Sequence, residues 1–156
     1  MMKKYMEWSD ELSVGIQEID EQHQILVNLI NMLYEAIIRR TDAEEVGTIL
    51  AELLQYTVIH FAVEESLMRI FDYPNYEEHK KNHQKLTTQV IELQNKFKNT
   101  QMSISVEVLH FLRHWLADHI MGDDKKYVPY LVQKGLQTTW AKQRSWTGKI
   151  WSFIKT

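Results

Sequence analysis

Residues 43–64 read AEEVGTILAELLQYTVIHFAVE, and the spacing within them decides the fold. Val46, Ile49, Leu50, Leu53, Leu54 and Thr57 recur every three or four residues, the period of one face of an α-helix. Continued by another two turns, that face arrives at His60 and Glu64, so an apolar stripe ends in an imidazole and a carboxylate four residues apart. Thr41 and Asp42 provide an N-cap ahead of the stripe. Asp72, Tyr73 and Pro74 stop it near Phe71, because proline disfavours helix at the residue before it.

The same period appears on both sides. Upstream, residues 1–16 read as an irregular arm containing Trp8 and ending at Gly15. Ile16, Ile19, His23, Leu26, Val27 and Ile30 then mark a helix from about Glu18 to Arg40. Downstream, His79, His83, Leu86, Val90, Leu93 and Phe97 mark a helix from Asn75 to about Thr100. Val108, Leu112, Trp115 and His119 mark a last one, starting near Ser103 or Ser105 and stopping near Pro129. Four helices with short connections imply an all-α protein, an antiparallel up-and-down four-helix bundle.

Composition agrees. With 156 residues and 44% hydrophobic content, the chain supports one domain with a core of its own. Five glycines and two prolines are too few for a strand-and-turn fold. There is no cysteine, which excludes disulfides and thiolate metal sites, so any metal is held through nitrogen and oxygen. The first twelve residues lack the apolar core of a signal peptide and no run of about 20 apolar residues occurs, so a cytoplasmic protein is expected. Of the net charge of −3, residues 136–156 contribute Lys142, Arg144, Lys149 and Lys155 and no acid. The remainder is acidic, which argues against nucleic-acid binding.

The histidines carry the chemistry. His60 with Glu64, and His79 with His83, each aim two side chains at one point from a single helix face. His119 and Asp124 are five apart, about 140° around an ideal helix, and converge only if the turn between them is widened or bent. Gly122 stands inside that turn and could permit the distortion. Any one pair is weak, since a histidine on a helix is usually a surface or capping residue. Together with His23 they place five imidazoles and two carboxylates on apolar-flanked faces of four helices, where burial without a cation would be costly. An acid-poor, imidazole-rich set of this kind differs from the four-carboxylate ferritin-like sites built on two ExxH motifs. The one ExxH here, Glu107 with His110, belongs to neither pair. His110 and His114 fall about 180° and 140° from the direction of His119 and are expected to point away from the metals.

Four segments, QEIDEQH ending at His23, HFAVEE from His60, HKKNH from His79 to His83 and HIMGDDKKY from His119, resemble the hemerythrin family in its bacterial form. The resemblance covers roughly residues 6 to 130 and includes all seven ligand positions in order. It implies a non-haem di-iron site that binds O2 reversibly. His79, His83 and His119 would hold one iron, while His23 and His60 would hold the other, with the open coordination position. Glu64, Asp124 and a solvent-derived oxo or hydroxo group would bridge them. Leu26 and Ile30, one and two turns after His23, and Trp115, one turn before His119, are the expected walls of the O2 pocket. The lack of a side chain at Gly122 would leave that pocket more open.

The domain division expected is a hemerythrin-like bundle over 1–134 and an amphipathic basic and aromatic tail over 135–156. On a helical wheel Leu136, Trp140, Trp146, Ile150, Trp151, Phe153 and Ile154 share one arc flanked by the cations. Such a tail suits a membrane surface or an O2-consuming membrane enzyme, or else packs on its own bundle. The protein is expected to be a monomeric O2-binding protein for storage, delivery or sensing. The competing reading is a di-iron redox enzyme or iron-handling protein acting on peroxide, nitric oxide or Fe2+.

Overall fold

The computed structural model describes residues 4–98 and 108–135 in full and residues 99, 100, 106 and 107 by backbone alone. The expectations placed on 101–105 and on the tail 136–156 lie outside the described residues. The helices are α1 (Gln17–Ile38), α2 (Ala43–Ile70), α3 (Tyr76–Thr100), α4 (Val106–Asp118) and α5 (Lys125–Gln133), and a π-helical turn, His119–Asp124, joins the last two. The bundle expected from the sequence is present. α1 packs on α2 and α4, α2 on α3, and α5 returns to touch α2.

Each junction has a local cause. Asp42 caps α2 by accepting the Glu45 N–H at 2.8 Å. Arg40, just before it, takes a left-handed φ of 55°, and the Thr41 hydroxyl bonds back to the Ala36 carbonyl at 3.1 Å. Between α2 and α3, Asp72 takes φ 53° while the Tyr73 N–H reaches the Met68 carbonyl at 2.8 Å, closing the end of α2 as glycine commonly does. The arm is held down as well. Met6 and Asn31 exchange hydrogen bonds of 2.8 and 2.7 Å, and Tyr5 stacks on Tyr34 with centroids 4.8 Å apart. Asp20 of α1 accepts from the Val14 N–H at 2.8 Å and from the Ser13 hydroxyl.

One boundary departs from expectation. The last helix does not stop near Pro129 but runs through it to Gln133. Proline removes a single N–H from a helix, and here burial of Tyr127, Val128 and Leu131 against Ile16, Ile19 and Met68 outweighs that loss. α2 is long and apolar enough by length and composition to cross a membrane. It carries buried His60 and Glu64 and packs between α1 and α3, so its apolar residues serve the core.

The main core joins Leu26, Ile30 and Leu33 of α1, Leu50, Leu53 and Phe61 of α2, and Leu112, Trp115 and Leu116 of α4. A second cluster around Tyr127 closes the other side of the polar centre.

Candidate metal centre

All seven candidate ligands converge. His23 comes from α1, His60 and Glu64 from α2, His79 and His83 from α3, and His119 and Asp124 from the π-turn. Every one is buried. Their donor atoms form two overlapping groups, His23, His60, Glu64, His119 and Asp124 in one and Glu64, His79, His83 and His119 in the other, with all donors of a group within 4.8 Å of each other.

The π-turn is what admits the last two. An extra residue in one turn brings the five-residue step from His119 to Asp124 back to a single face, as the spacing required. Gly122 stands inside this turn, as expected, but its φ is outside the left-handed region, so the backbone there does not require glycine, and a Cβ would meet only open space.

The carboxylates stand between the two groups. Asp124 Oδ2 is 2.8 Å from His23 Nε2 and 3.2 Å from His119 Nε2, while Oδ1 faces His79 Nε2 at 3.7 Å. Glu64 Oε1 lies 3.0 Å from both His60 Nε2 and His119 Nε2 and 3.4 Å from His83 Nε2. Its Oε2 accepts a hydrogen bond from the hydroxyl of Tyr127. His119 belongs to both groups, whereas the resemblance assigned it to one.

The donor set fits a cation. The Nε2 atoms of His23, His60, His79 and His83 and both oxygens of Asp124 are buried and make no hydrogen bond among the described residues. Several lie close to a partner without the alignment a hydrogen bond needs. Orphaned polar atoms in such number are costly unless something charged sits among them. Imidazole and carboxylate donors suit iron.

Burial sets the protonation of the metal-free centre. It holds His23 well below the usual imidazole range, an effect that the charge of His60 strengthens, and it lowers His60 against the pull of Glu64. His79 falls to about 4, again through burial. His119 is the exception, for burial is overcome there by the Glu64 and Asp123 carboxylates, which raise it to about 9. Glu64 is held well below its usual value because His60 and His119 outweigh its burial. Burial, then the charge of Glu64, pushes Asp124 well above. A buried His119–Glu64 ion pair therefore sits beside neutral His23, His60 and His79, and Asp124 favours its proton, which a bound metal would displace.

Neighbouring side chains fix the rings. His60 Nδ1 is 2.6 Å from Gln22 Oε1, His83 Nδ1 is 3.2 Å from Glu65 Oε2, and His119 Nδ1 is 3.8 Å from Asp123 Oδ2. With the outer nitrogens of His60 and His83 engaged in this way, their inner ones are left to coordinate, while Asp123 faces His119 Nδ1 as a counter-charge without a hydrogen bond. Phe61 stacks on His83 at 3.8 Å, and Trp115 lies parallel to His119 at 6.3 Å. Trp115 is thus beside the centre as expected. Leu26 and Ile30 are fully buried in the same core cluster as Trp115 and Phe61. His110 and His114 are exposed and stack on each other, away from the centre.

Gln22, Phe61, Glu65, Asp123 and Tyr127 were not singled out from the sequence. Four of them adjoin a ligand in the chain, at about 100° from it on the helix, where face-by-face reading does not look. Tyr127, three residues after Asp124 on a helix expected to be ending, was the more findable one.

Comparison with known proteins agrees. The family profile described as "Hemerythrin HHE cation binding domain" matches residues 14–131. The bacteriohemerythrin of Stenotrophomonas maltophilia is 38% identical over 120 residues, 77% of each chain. That of Methylococcus capsulatus is 32% identical over 127 residues, 81% of this chain and 96% of its own. A crystal structure of wild-type hemerythrin superposes with a TM-score of 0.77 at 31% identity, covering 81% of this chain and 98% of that one. With the profile spanning the bundle from the end of the arm into α5, and the ligand-bearing helices inside that span, the chain belongs to the hemerythrin family.

Proposed function

We propose that this protein binds O2 reversibly at a di-iron centre and returns it unchanged, acting as a binding protein and not as a turnover enzyme. One observation carries the reading: two donor groups that share Glu64 and His119, built from five imidazoles and only two carboxylates. Sharing suits a pair of ions, and the low carboxylate count suits a site that holds O2 more than one that oxidises Fe2+ as cargo. Two ferrous ions, when bound, supply the electrons that hold O2. His79, His83 and His119 would hold one ion, and His23 and His60 the other. Glu64 and Asp124 would be shared between the two ions.

The residues around the ligands have separable tasks. Gln22 and Glu65 keep two imidazoles facing inward, and Asp123 places a negative charge beside a third. Tyr127 donates a hydrogen bond to Glu64 Oε2 and fixes the plane of that carboxylate. Leu26, Ile30 and Trp115 give the centre an apolar wall, which keeps water and stray protons from O2.

An O2 electrode tests the proposal on anaerobically reduced, iron-loaded protein. Uptake of about one O2 per chain, recovered when the solution is purged or placed under vacuum, supports it. Continued consumption with added reductant, and no recovery, would move the protein to the redox-enzyme or iron-handling reading.

A further inference from the structure

Of the seven candidate ligands, six are 0–2% exposed and His79 is 6% exposed. His79 is also part of the wall of a polar surface cleft of about 70 Å³, lined otherwise by Tyr73, Asn75, Glu78, Asn82, Asp123 and Lys126. Two larger clefts, one beside Arg69 and Lys80 and the other beside Glu92 and Phe111, touch none of the seven. On the far side of the His79 ring, Nε2 is buried without a hydrogen bond and stands 3.7 Å from Asp124 Oδ1. The ring thus separates the cleft from the interior centre.

We propose that this cleft is the port through which a divalent cation reaches the centre, with Glu78 and Asp123 as the receiving carboxylates and His79 as the ligand at its inner end. The inference rests on the metal-binding reading above. O2 is small and apolar and needs no polar path, whereas a hydrated cation does. Asn75, Glu78 and Asn82 are exposed and offer oxygen in place of water, as hard cations require. Asp123 is half-buried, one step further in, with Oδ2 3.8 Å from His119 Nδ1. The imidazole of His79 follows, so donors grade from oxygen to nitrogen along the way inward. Lys126, exposed on the same rim, opposes entry and acts as a brake.

The test is the rate at which metal-free protein takes up Co2+, followed by the visible absorbance of the bound ion in a stopped-flow instrument at low ionic strength. Uptake should slow about threefold in Glu78→Gln and quicken about tenfold in Lys126→Glu, the scale of electrostatic steering into a cleft. Asn82→Leu, which narrows the mouth, should slow it as well. Glu44→Gln, at the remote end of α2, should leave it unchanged. The two charge effects should shrink in about 0.5 M salt, where the Debye length is only a few ångströms. All variants should still reach two Co2+ per chain, which separates a route from a ligand. Equal rates in all variants, with two ions bound, would overturn the port and leave the metal centre standing. Failure of the unmodified protein to bind Co2+ or Fe2+ at all would overturn both.

Discussion

Tyr127→Phe removes one oxygen and leaves the ring, so it isolates what the hydroxyl does. That hydroxyl is fully buried and donates to Glu64 Oε2, on a carboxylate that is itself fully buried and held ionised. Without it, Oε2 faces the ring edge of phenylalanine with no donor. A hydrogen bond to a charged group contributes about 1.5–3 kcal/mol, and leaving its buried partner unsatisfied costs on that scale. Metal-free Tyr127→Phe should therefore lose about 2 kcal/mol, which for a domain of this size lowers Tm by about 4–8 °C. The iron-loaded form should lose much less, because the ions then neutralise the carboxylate from the other side. Paired thermal melts followed by circular dichroism, with and without iron, read the difference. An equal loss in both forms, or a larger one with iron, would refute the idea that Tyr127 substitutes for a missing cation in holding Glu64.

Glu64→Ala should cut iron from about two per chain to less than one, because the residue belongs to both donor groups, whereas His23→Ala should retain about one; metal analysis after desalting distinguishes them. Gly122→Ala should raise Tm by a few degrees and leave O2 release unaltered, since the backbone there needs no glycine and the added methyl meets only open space. A fall in Tm would contradict the geometry. Metal-free protein should be most stable near pH 6.5. Below that, His23, His60 and His79, with depressed folded-state pKa values, lose stability as pH falls; His79 alone, moved from 6.5 to about 4, accounts for roughly 2 kcal/mol at pH 5. Asp124, raised, opposes this but is one group against three. Above it, the raised pKa of His119 means that its contribution is lost as pH climbs through about 9. Urea denaturation across pH 5 to 9 in the presence of a chelator checks both limbs, and a profile rising steadily to pH 9 would refute the His119 assignment.

The helices were legible because apolar side chains at a 3.6-residue period are a strong signal, and each stripe ran onto its ligands without a break. The widened turn was legible too, since His119 and Asp124 cannot share a face on a regular helix. Pro129 misled because its effect is local while the burial of Tyr127 and Leu131 is tertiary and leaves no local mark. Gly122 was legible as part of the widened turn, but whether the backbone there demands glycine was not, because that depends on a φ that spacing does not reveal. The side chains that orient the ligand rings stayed hidden for a geometric reason. Gln22, Glu65 and Asp123 each stand next in sequence to a ligand and reach across to a histidine of another helix or turn back to one four residues away.

The most direct measurement is iron content together with the visible spectrum through anaerobic reduction, exposure to air and deoxygenation. The account predicts about two irons per chain and a charge-transfer band that appears with air and vanishes when O2 is removed. Two irons with a spectrum that passes once to the ferric form and never returns, or a chain that retains no iron, would contradict it.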